Sequence, residues 1–226
     1  MITMYFGSPG CGKTTTATRL LYKERKRYNR TLANFSCKAC DVDSVDLDGL
    51  GAWTFPEGSL VCIDESGIEY NSRSFKTFPK SAIRWFKKHR HYSVDVAFFS
   101  QSWEDTDKII RDLSATLVYV MKLGPFTVLR RVHKRVTVDR NTEQIIDGYR
   151  MTNILWLLLY PLKPILRFVI PPLNDIEIFF RPLYYKYFDT LEREELPIKY
   201  GDTPRRDVPP LLSLSSIQGI RAVKKT

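Results

Sequence analysis

The chain has 226 residues, of which 43% are hydrophobic and 13% are aromatic. This apolar content is enough for a buried core, and it excludes a wholly disordered or fibrous protein. Its 35 Lys and Arg outnumber its 25 Asp and Glu, and the net charge of +10 favours a polyanionic partner, either nucleic acid or an acidic membrane surface. Four cysteines are too few for a disulfide scaffold, and the first six residues lack the basic region of a secretory signal, so we expect the N-terminal part to be cytosolic.

Short apolar runs alternate with helical stretches over residues 1–150. The predicted strands are Ile2–Phe6, Leu32–Phe35, Ser59–Ile63, Val94–Phe99 and Ala115–Met121. The predicted helices are Lys13–Asn29, Lys80–His91 and Glu104–Leu113. A hairpin of Phe126–Arg131 and Lys134–Asp139, with its loop near Val132 and His133, is expected to close the domain. This alternation predicts an α/β fold with a mainly parallel sheet sandwiched by helices.

The composition changes at about Met151. We therefore predict three parts: a domain over 1–150, a hydrophobic and aromatic C-terminal extension over 151–200, and a disordered tail over 201–226. Residues 154–170 are strongly apolar but contain Lys163, Arg167 and two prolines. The free energy gained by inserting this segment into a bilayer nearly cancels the cost of the two charges. We therefore favour association of the segment with a membrane over a true span.

Residues 7–14 read Gly-Ser-Pro-Gly-Cys-Gly-Lys-Thr and match the phosphate-loop pattern G-x-x-x-x-G-K-[ST] at every position. A predicted strand precedes this loop and a predicted helix follows it, as the motif requires. Backbone N–H groups of such a loop surround the β-phosphate, Lys13 reaches the β- and γ-phosphates, and the Thr14 hydroxyl ligates Mg²⁺. We therefore predict that the chain binds ATP and Mg²⁺. The residues expected to bind the nucleotide are Gly7, Ser8, Pro9, Gly10, Cys11, Gly12, Lys13, Thr14 and Thr15.

Two adjacent carboxylates, Asp64 and Glu65, follow the apolar strand Ser59–Ile63. Asp64 is expected to hold the Mg²⁺ shell, and Glu65 to orient or deprotonate the attacking water. Gln101, after the next predicted strand, is a candidate for contacting the γ-phosphate or that water. The alternatives are a strand-end turn with solvated acids and an ordinary strand-to-loop transition. The acidic pair favours ATP hydrolysis over a small-molecule kinase, because no Arg-rich lid is recognisable.

A basic stretch without any acidic residue runs from Asn71 to Val94. Four cationic or titratable residues share one side of its predicted helix at i, i+3, i+4 and i+7 spacing: Arg84, Lys87, Lys88 and His91. Ile83 and Phe86, with Trp85 nearby, are expected to face inward. Three interpretations remain open. This basic face is solvated, or it follows nucleic-acid phosphates, or one arginine reaches a neighbouring subunit's γ-phosphate as an arginine finger.

Cys37 and Cys40 form a C-x-x-C pair, which raises the question of a zinc site. Zinc needs two further ligands, and the sequence contains no second C-x-x-C and no H-x₃-H. We therefore treat all four cysteines as free thiols.

Four segments together resemble a known family: the phosphate loop, Val-Cys-Ile-Asp-Glu-Ser at 61–66, Lys-His-Arg-His-Tyr at 88–92 and Phe-Ser-Gln-Ser at 99–102. They are similar to the N-terminal domain of zonular occludens toxin (Zot), the family of filamentous-phage assembly and export ATPases. The resemblance covers roughly residues 1–150, and residues 187–190 look similar to a motif that closes that domain. It implies a P-loop NTPase fold near the double-stranded-DNA pumping and helicase group. Family members commonly continue with a clear membrane span, from which 154–170 departs.

The activity implied by the resemblance is ATP hydrolysis that drives phage single-stranded DNA through the inner membrane. The implied partners are single-stranded DNA or a phage nucleoprotein, other assembly proteins and the membrane, and the implied location is the cytoplasmic face of the host inner membrane. Two alternatives remain: a soluble helicase or packaging ATPase of the same fold, and a non-enzymatic nucleotide-switch adaptor. Glu65 argues against the adaptor, and segment 154–170 argues against the soluble motor.

A ring of identical subunits, possibly a hexamer, is also expected. The phosphate loop itself offers one cation, Lys13, whereas the charge that grows during phosphoryl transfer usually requires an arginine as well. Arg90 and Arg111 are the predicted suppliers from a neighbouring subunit, because they flank the strand that ends at Gln101.

Overall fold

The described residues form one eight-stranded sheet. A computed structural model describes residues 1–47, 50–65, 80–104, 106, 108–138, 145–166, 168 and 170–188, with the backbone alone at 135–138 and 145–147. The strands are β1 (Ile2–Phe6), β2 (Arg30–Ala33), β3 (Ser59–Ile63), β4 (Asp95–Ser100), β5 (Thr116–Leu123), β6 (Phe126–Val138), β7 (Ile145–Met151) and β8 (Ile176–Phe180). Their order in the sheet is β2-β3-β4-β1-β5-β6-β7, and β8 also pairs with β6.

The first five strands are parallel, which confirms the predicted α/β class. β1 lies between β4 and β5, with Met4 opposite both Phe98 and Leu117. β3 pairs with β2 and β4. The carboxyl ends of β1, β3 and β4 therefore meet at one edge of the sheet, where ligands of open α/β folds bind.

The predicted hairpin near Val132 and His133 is wrong, because β6 continues without interruption through both residues. The turn lies earlier, at Gly124 and Pro125, where Leu123 pairs with Phe126. Gly124 has φ +55°, which a two-residue hairpin loop favours and most side chains resist. The charges around residue 132 do not end the strand, because β5 pairs with its first half and β7 with its second half. The predicted end at Asp139 lies outside the described residues.

Three helices flank the sheet: α1 (Lys13–Glu24), α2 (Lys80–Lys88) and α3 (Lys108–Leu113). Helix α1 ends before the predicted Asn29, because the chain turns there to enter β2 and the Asn29 N–H donates to Gly58 O at 2.9 Å. Helix α2 continues only as a 3₁₀ turn over His89–Tyr92. Helix α3 begins after the predicted Glu104, whose N–H donates instead to Ser102 Oγ at 3.2 Å.

The two faces of the sheet are covered by different helices, as predicted. On one face, Leu21 of α1 packs in a cluster with Phe99 of β4. On the other, Phe86 of α2 and Ile110 of α3 pack in a cluster with Phe98. Neighbouring residues of β4 thus point to opposite faces, as the pleat of a strand requires. Strands β1, β3 and β4 are therefore buried on both sides, which leaves the ends of these strands for functional groups.

The C-terminal extension contributes to this sheet. Strand β8, which lies in the predicted extension over 151–200, pairs antiparallel with the first half of β6. Arg19 of α1, almost fully buried, forms an ion pair with Glu177 and stacks on Phe179, with its guanidinium carbon 4.6 Å from the ring centre. Burial opposes ionisation of Glu177, but the bond and charge of Arg19 outweigh it and lower the pKa of that carboxyl. The predicted disordered tail, 201–226, lies outside the described residues.

Between β7 and β8 the chain forms short helical segments. They are a 3₁₀ helix at Ile154–Leu162, the single turn α4 at Lys163–Leu166 and a 3₁₀ helix at Pro171–Asp175. In the ranges that the structure describes, no helix is both long enough and apolar enough to cross a membrane. Arg167, one of the two charges weighed for this segment, lies outside those ranges.

Candidate active site

The phosphate loop follows the carboxyl end of β1. Two of its glycines, Gly7 and Gly12, cannot be replaced by another residue without strain. The Gly7 N–H donates to Ser100 O at 3.3 Å, and a Cβ on Gly7 would lie only 2.2 Å from Val120 O. Gly12 has φ +100°, in the left-handed region, and a Cβ there would lie 2.5 Å from Thr127 Oγ1. The loop is therefore pressed against β5 and β6, with its backbone open on the other side for a phosphate group.

Lys13 is the first residue of α1, and its side chain folds back along the loop. Its Nζ donates to Gly7 O at 2.9 Å and to Ser8 O at 3.2 Å, and the residue is only 9% exposed. Two of the three ammonium hydrogens are thus used to shape the loop. The third is left for a phosphate oxygen, at the positive end of the α1 dipole.

Thr14 and Asp64 meet across the sheet edge although fifty positions separate them. The Thr14 hydroxyl donates to Asp64 Oδ2 at 2.6 Å. Burial raises the pKa of the Asp64 carboxyl, and the bond from Thr14 opposes that rise. A buried carboxylate of this kind is stabilised by a nearby cation, and a hydroxyl beside a carboxylate provides the hard oxygen ligands that Mg²⁺ prefers.

Asn34, directly after β2, holds Asp64 by its backbone. Its Oδ1 accepts a hydrogen bond from Asp64 N at 2.7 Å, and its Nδ2 donates to Asp64 O at 3.1 Å. The sequence analysis missed this residue, although a polar side chain at a strand end beside the acidic strand was a usable signal. Asn34 does not line the cavity beside the phosphate loop, but its two bonds fix the backbone that carries the Asp64 carboxylate.

Glu65 and Gln101 lie at the same cavity. Glu65 is exposed and has φ +51°, a left-handed conformation that is uncommon for glutamate, and its N–H donates to Asp64 Oδ1 at 3.0 Å. Such strain often marks a functional site. Gln101 is also exposed and lines the cavity. The two side chains that were expected to act on water are thus brought to the phosphate loop.

The cavity has a volume of about 660 Å³. It is lined by Pro9, Gly10, Gly12, Lys13, Thr14, Thr15, Asp64, Glu65, Gln101, Arg181, Tyr185 and Phe188. The last three belong to the C-terminal extension, and nothing in their spacing pointed to the phosphate loop. We call residues 181–188 the cover segment.

ATP and Mg²⁺ fit these residues. Gly7 and Gly12 hold the loop against β5 and β6, and Lys13 supplies a positive charge beside the cavity. Thr14 and Asp64 would hold the metal, with Glu65 and Gln101 placed for a water molecule beside it.

The two predicted arginine fingers lie elsewhere. Arg90 is exposed in the 3₁₀ turn that precedes the amino end of β4. The length of β4, about 20 Å, separates it from the edge of the sheet that carries the phosphate loop. Arg90 cannot serve the site of its own chain. The Arg111 guanidinium stacks over Trp103, with its carbon 5.5 Å from the ring centre.

The basic face is exposed along its whole length. Arg84, Lys87 and Lys88 lie on α2, and His91 lies in the following 3₁₀ turn. The inward side is formed by Trp85 and Phe86, as predicted, whereas Ile83 is only half-buried.

The cysteine pair is engaged in local contacts. Cys40 Sγ donates to Cys37 O at 3.1 Å, and all four cysteines are free. A separate side-chain hydrogen bond between the two thiols lowers the pKa of the Cys37 thiol.

The central part of the chain matches the model of a known protein family. The family model described as Zonular occludens toxin (Zot) matches residues 38–153, just over half of the chain. The chain belongs to the Zot family. The match begins after the phosphate loop, so the loop and the family match are independent observations. No curated protein matched this Zot-family chain.

Several solved structures are similar to the chain. The N-terminal domain of zonular occludens toxin from Neisseria meningitidis is 19% identical, with 66% of this chain and 92% of that chain covered and a TM-score of 0.47. The genome packaging NTPase of Sulfolobus turreted icosahedral virus 2, in complex with ATP-gammaS, is 9% identical, with 65% and 96% covered and a TM-score of 0.42. The flagellar accessory protein FlaH from Methanocaldococcus jannaschii is 11% identical, with 57% and 76% covered and a TM-score of 0.37.

Replacement of Asn34 tests how Asp64 is positioned. We expect Asn34→Ala to raise the Mg²⁺ concentration needed for half-maximal ATP binding by about tenfold, because the carboxylate loses its support. The measurement is an equilibrium titration of ATP binding against Mg²⁺. Asn29→Ala is the matched control, since it also loses one bond to a backbone carbonyl, Glu57 O, but lies away from the site. An unchanged Mg²⁺ requirement with a lower melting temperature would make Asn34 a purely structural residue.

Proposed function

We propose that this Zot-family protein is an ATP-hydrolysing motor for filamentous-phage assembly, which exports single-stranded DNA at the inner membrane. One observation carries the catalytic part of the proposal. Lys13, the Thr14–Asp64 pair, Glu65 and Gln101 line one cavity, although they come from three separate parts of the chain. Nucleotide binding needs Lys13 and the Thr14–Asp64 pair, whereas hydrolysis also needs groups that act on the attacking water, such as Glu65 and Gln101.

Each residue has a distinct role in the proposed reaction. Lys13 and the loop N–H groups bind the phosphates and offset the charge that grows in the transition state. Mg²⁺, when bound, supplies further positive charge to the phosphate oxygens and is held by Thr14 and Asp64. Glu65 orients the attacking water and accepts its proton, and Gln101 donates to that water or to the γ-phosphate.

Two variants separate binding from turnover. We expect Lys13→Ala to abolish ATP binding, since it removes the loop's cation, whereas Glu65→Gln should keep binding and lower turnover by about 10² or more, because an amide cannot accept the proton. Binding is measured by titration and turnover by phosphate release. Glu57→Gln, on an exposed turn, is the control for Glu65. Wild-type protein that binds ATP without hydrolysing it would support the adaptor alternative, and Lys13→Ala with unchanged affinity would contradict the phosphate-site assignment.

The basic face supports an electrostatic contact with DNA phosphates. Its four side chains are exposed and point away from the core formed by Trp85 and Phe86. Cations clustered on one side of a helix can contact a phosphate backbone without reading the bases, which suits a motor that exports any sequence.

Replacement of two of these lysines tests the DNA contact. We expect Lys87→Ala combined with Lys88→Ala to weaken binding of single-stranded DNA and to reduce the slope of log affinity against log salt concentration by up to about two units. Fluorescence anisotropy at several salt concentrations measures both. The control is Lys23→Ala combined with Lys26→Ala, which removes two positive charges from another surface. Lys23 lies on α1 and Lys26 lies just after it. A slope that falls equally in both double variants would mean that only net charge matters.

We also propose a ring, possibly a hexamer, with active sites between subunits. Arg181 is a second cation at the cavity, but its guanidinium is engaged by backbone carbonyls of the same chain. An arginine that faces the γ-phosphate is therefore still required. Arg90, exposed and far from its own loop, and Arg111 are the proposed suppliers from a neighbour. An arginine contributed across an interface would couple hydrolysis to subunit position, as a motor needs.

An apolar surface supports attachment to the cytoplasmic face of the inner membrane. It consists of Leu155, Leu158, Leu162, Ile165 and Phe168, with exposed fractions from 48% at Leu162 to 80% at Phe168. Lys163, within the same segment, turns away and donates to Ile176 O. A cavity of about 780 Å³ next to the segment is lined by Arg130, Lys134 and Arg150, among others. Exposed apolar groups beside cations suit the interface of an anionic bilayer.

Fractionation of cells tests the attachment. We expect the wild type to sediment with membranes and to be released by carbonate, as a surface-bound protein is, whereas Leu158→Ser combined with Phe168→Ser should move it to the soluble fraction. Leu123→Ser, equally apolar and 46% exposed at the end of β5, is the control. Wild-type protein in the soluble fraction would favour a soluble helicase or packaging ATPase. Resistance to carbonate with release by detergent would indicate a span instead.

A further inference from the structure

The cover segment crosses the mouth of the phosphate-loop cavity. It follows β8 on the β6 side of the loop, where the Arg181 N–H donates to Pro125 O at 3.1 Å. At its other end Phe188 pairs antiparallel with Cys37, and the Lys38 N–H donates to Tyr187 O at 2.7 Å. The segment is thus fastened on both sides of α1, and Tyr187 also packs on Tyr22 of that helix, with ring centres 5.2 Å apart.

Arg181 fastens the start of the segment to the phosphate loop itself. The residue is only 9% exposed, and its Nη1 lies 3.5 Å from Gly10 O. Its Nε lies 3.4 Å from Pro125 O, and its Nη2 donates to Gly124 O. A Cβ on Gly12 would lie only 3.0 Å from the Cδ of Arg181, so the side chain also packs against this glycine. The guanidinium therefore ties the loop to the β5–β6 turn, and the position of the cover segment relative to the loop is fixed.

Beyond Arg181 the segment presents aromatic side chains to the cavity. Tyr185 and Phe188 both line it, with ring centres 6.2 Å apart at an angle of 78°. Tyr185 remains 47% exposed, although the neighbouring Tyr184 packs on Phe179. Thr15, which follows the residues that hold the terminal phosphates, lines the same cavity. A triphosphate seated on the loop must continue past Thr15 towards its nucleoside, and Tyr185 and Phe188 belong to the same cavity.

We propose that the cover segment is the nucleoside-binding part of the site, with the base stacked on the ring of Tyr185 and bordered by Phe188. This inference rests on the proposed function, since it takes a nucleoside triphosphate as the ligand of the loop. Stacking on an aromatic ring needs no fixed hydrogen-bond pattern, because every base has a π-face. Tyr185 is thus a binding residue, and Arg181 is a positioning residue that holds the cover segment in register with the loop.

The test compares ATP with inorganic tripolyphosphate, which carries the phosphates without the nucleoside. Binding of each, with Mg²⁺, is measured by calorimetry on the full chain. We expect Tyr185→Ala to raise the Kd for ATP by about five- to hundredfold and to leave the Kd for tripolyphosphate within about twofold. Tyr185→Phe keeps the ring and should bind ATP like the wild type. Leu183→Ala, 62% exposed in the same segment and outside the cavity lining, is the control.

The outcomes are separable from those of the proposed function. Tripolyphosphate binding that is lost in Lys13→Ala supports the phosphate site whatever happens at Tyr185. An equal loss of ATP and tripolyphosphate affinity in Tyr185→Ala would overturn the stacking role, since the ring would then only support the loop. An unchanged ATP affinity in that variant would overturn it as well. Failure of the wild type to bind either ligand would overturn both proposals.

Discussion

The hydrogen bond from the Thr14 hydroxyl to the Asp64 carboxylate joins the two halves of the candidate active site. One partner is the second residue of α1 and the other follows β3, and in the sheet β4 lies between β1 and β3. The bond can form only if both strands end at the same edge with matched registers, which the pairings of β4 with each of them ensure. Gln101, just after β4, is thereby placed between the two halves.

The environment of Asp64 explains why this bond needs support. The carboxylate is buried, which raises its pKa, and it accepts bonds from a hydroxyl and from the N–H of Glu65. Asn34 accepts a hydrogen bond from the N–H of Asp64 and donates one to the carbonyl oxygen of Asp64. A buried charge is costly without partners. These contacts therefore stabilise the Asp64 carboxylate, and a bound cation would stabilise it further. The left-handed conformation of Glu65 follows from the same turn, since its N–H must reach back to Asp64.

The C-terminal extension is part of the structure of the domain that carries the phosphate loop. Strand β8 extends the sheet along β6, and the buried Arg19 holds it through Glu177 and Phe179. The chain therefore brings Arg181 to the phosphate loop directly after β8 and then crosses α1 to reach Cys37. The apolar surface belongs to the segment that links β7 to β8, so a membrane contact there would act on the chain that leads into the cover segment.

Local patterns were enough to predict much of this protein. The phosphate loop is a contiguous motif, and β1 and β3 were predicted to the residue because their apolar runs end at glycine or at acids. Asp64, Glu65 and Gln101 were found because polar residues at the ends of parallel strands converge at one edge. The Zot family was recognisable from the same short segments. Each of these features depends on neighbouring residues or on a rule of sheet topology.

Only the tertiary structure decided the remainder. The charged residues around Val132 resemble a turn, yet they continue β6, because strands pair with both of its halves. Arg181, Tyr185 and Phe188 follow the loop by more than 160 positions, and the pairing of β8 with β6 is what brings them to it. Lys163 was counted as a cost of inserting residues 154–170 into a bilayer, and the structure shows that its Nζ donates to Ile176 O. Such contacts depend on where distant strands pair, which local periodicity does not encode.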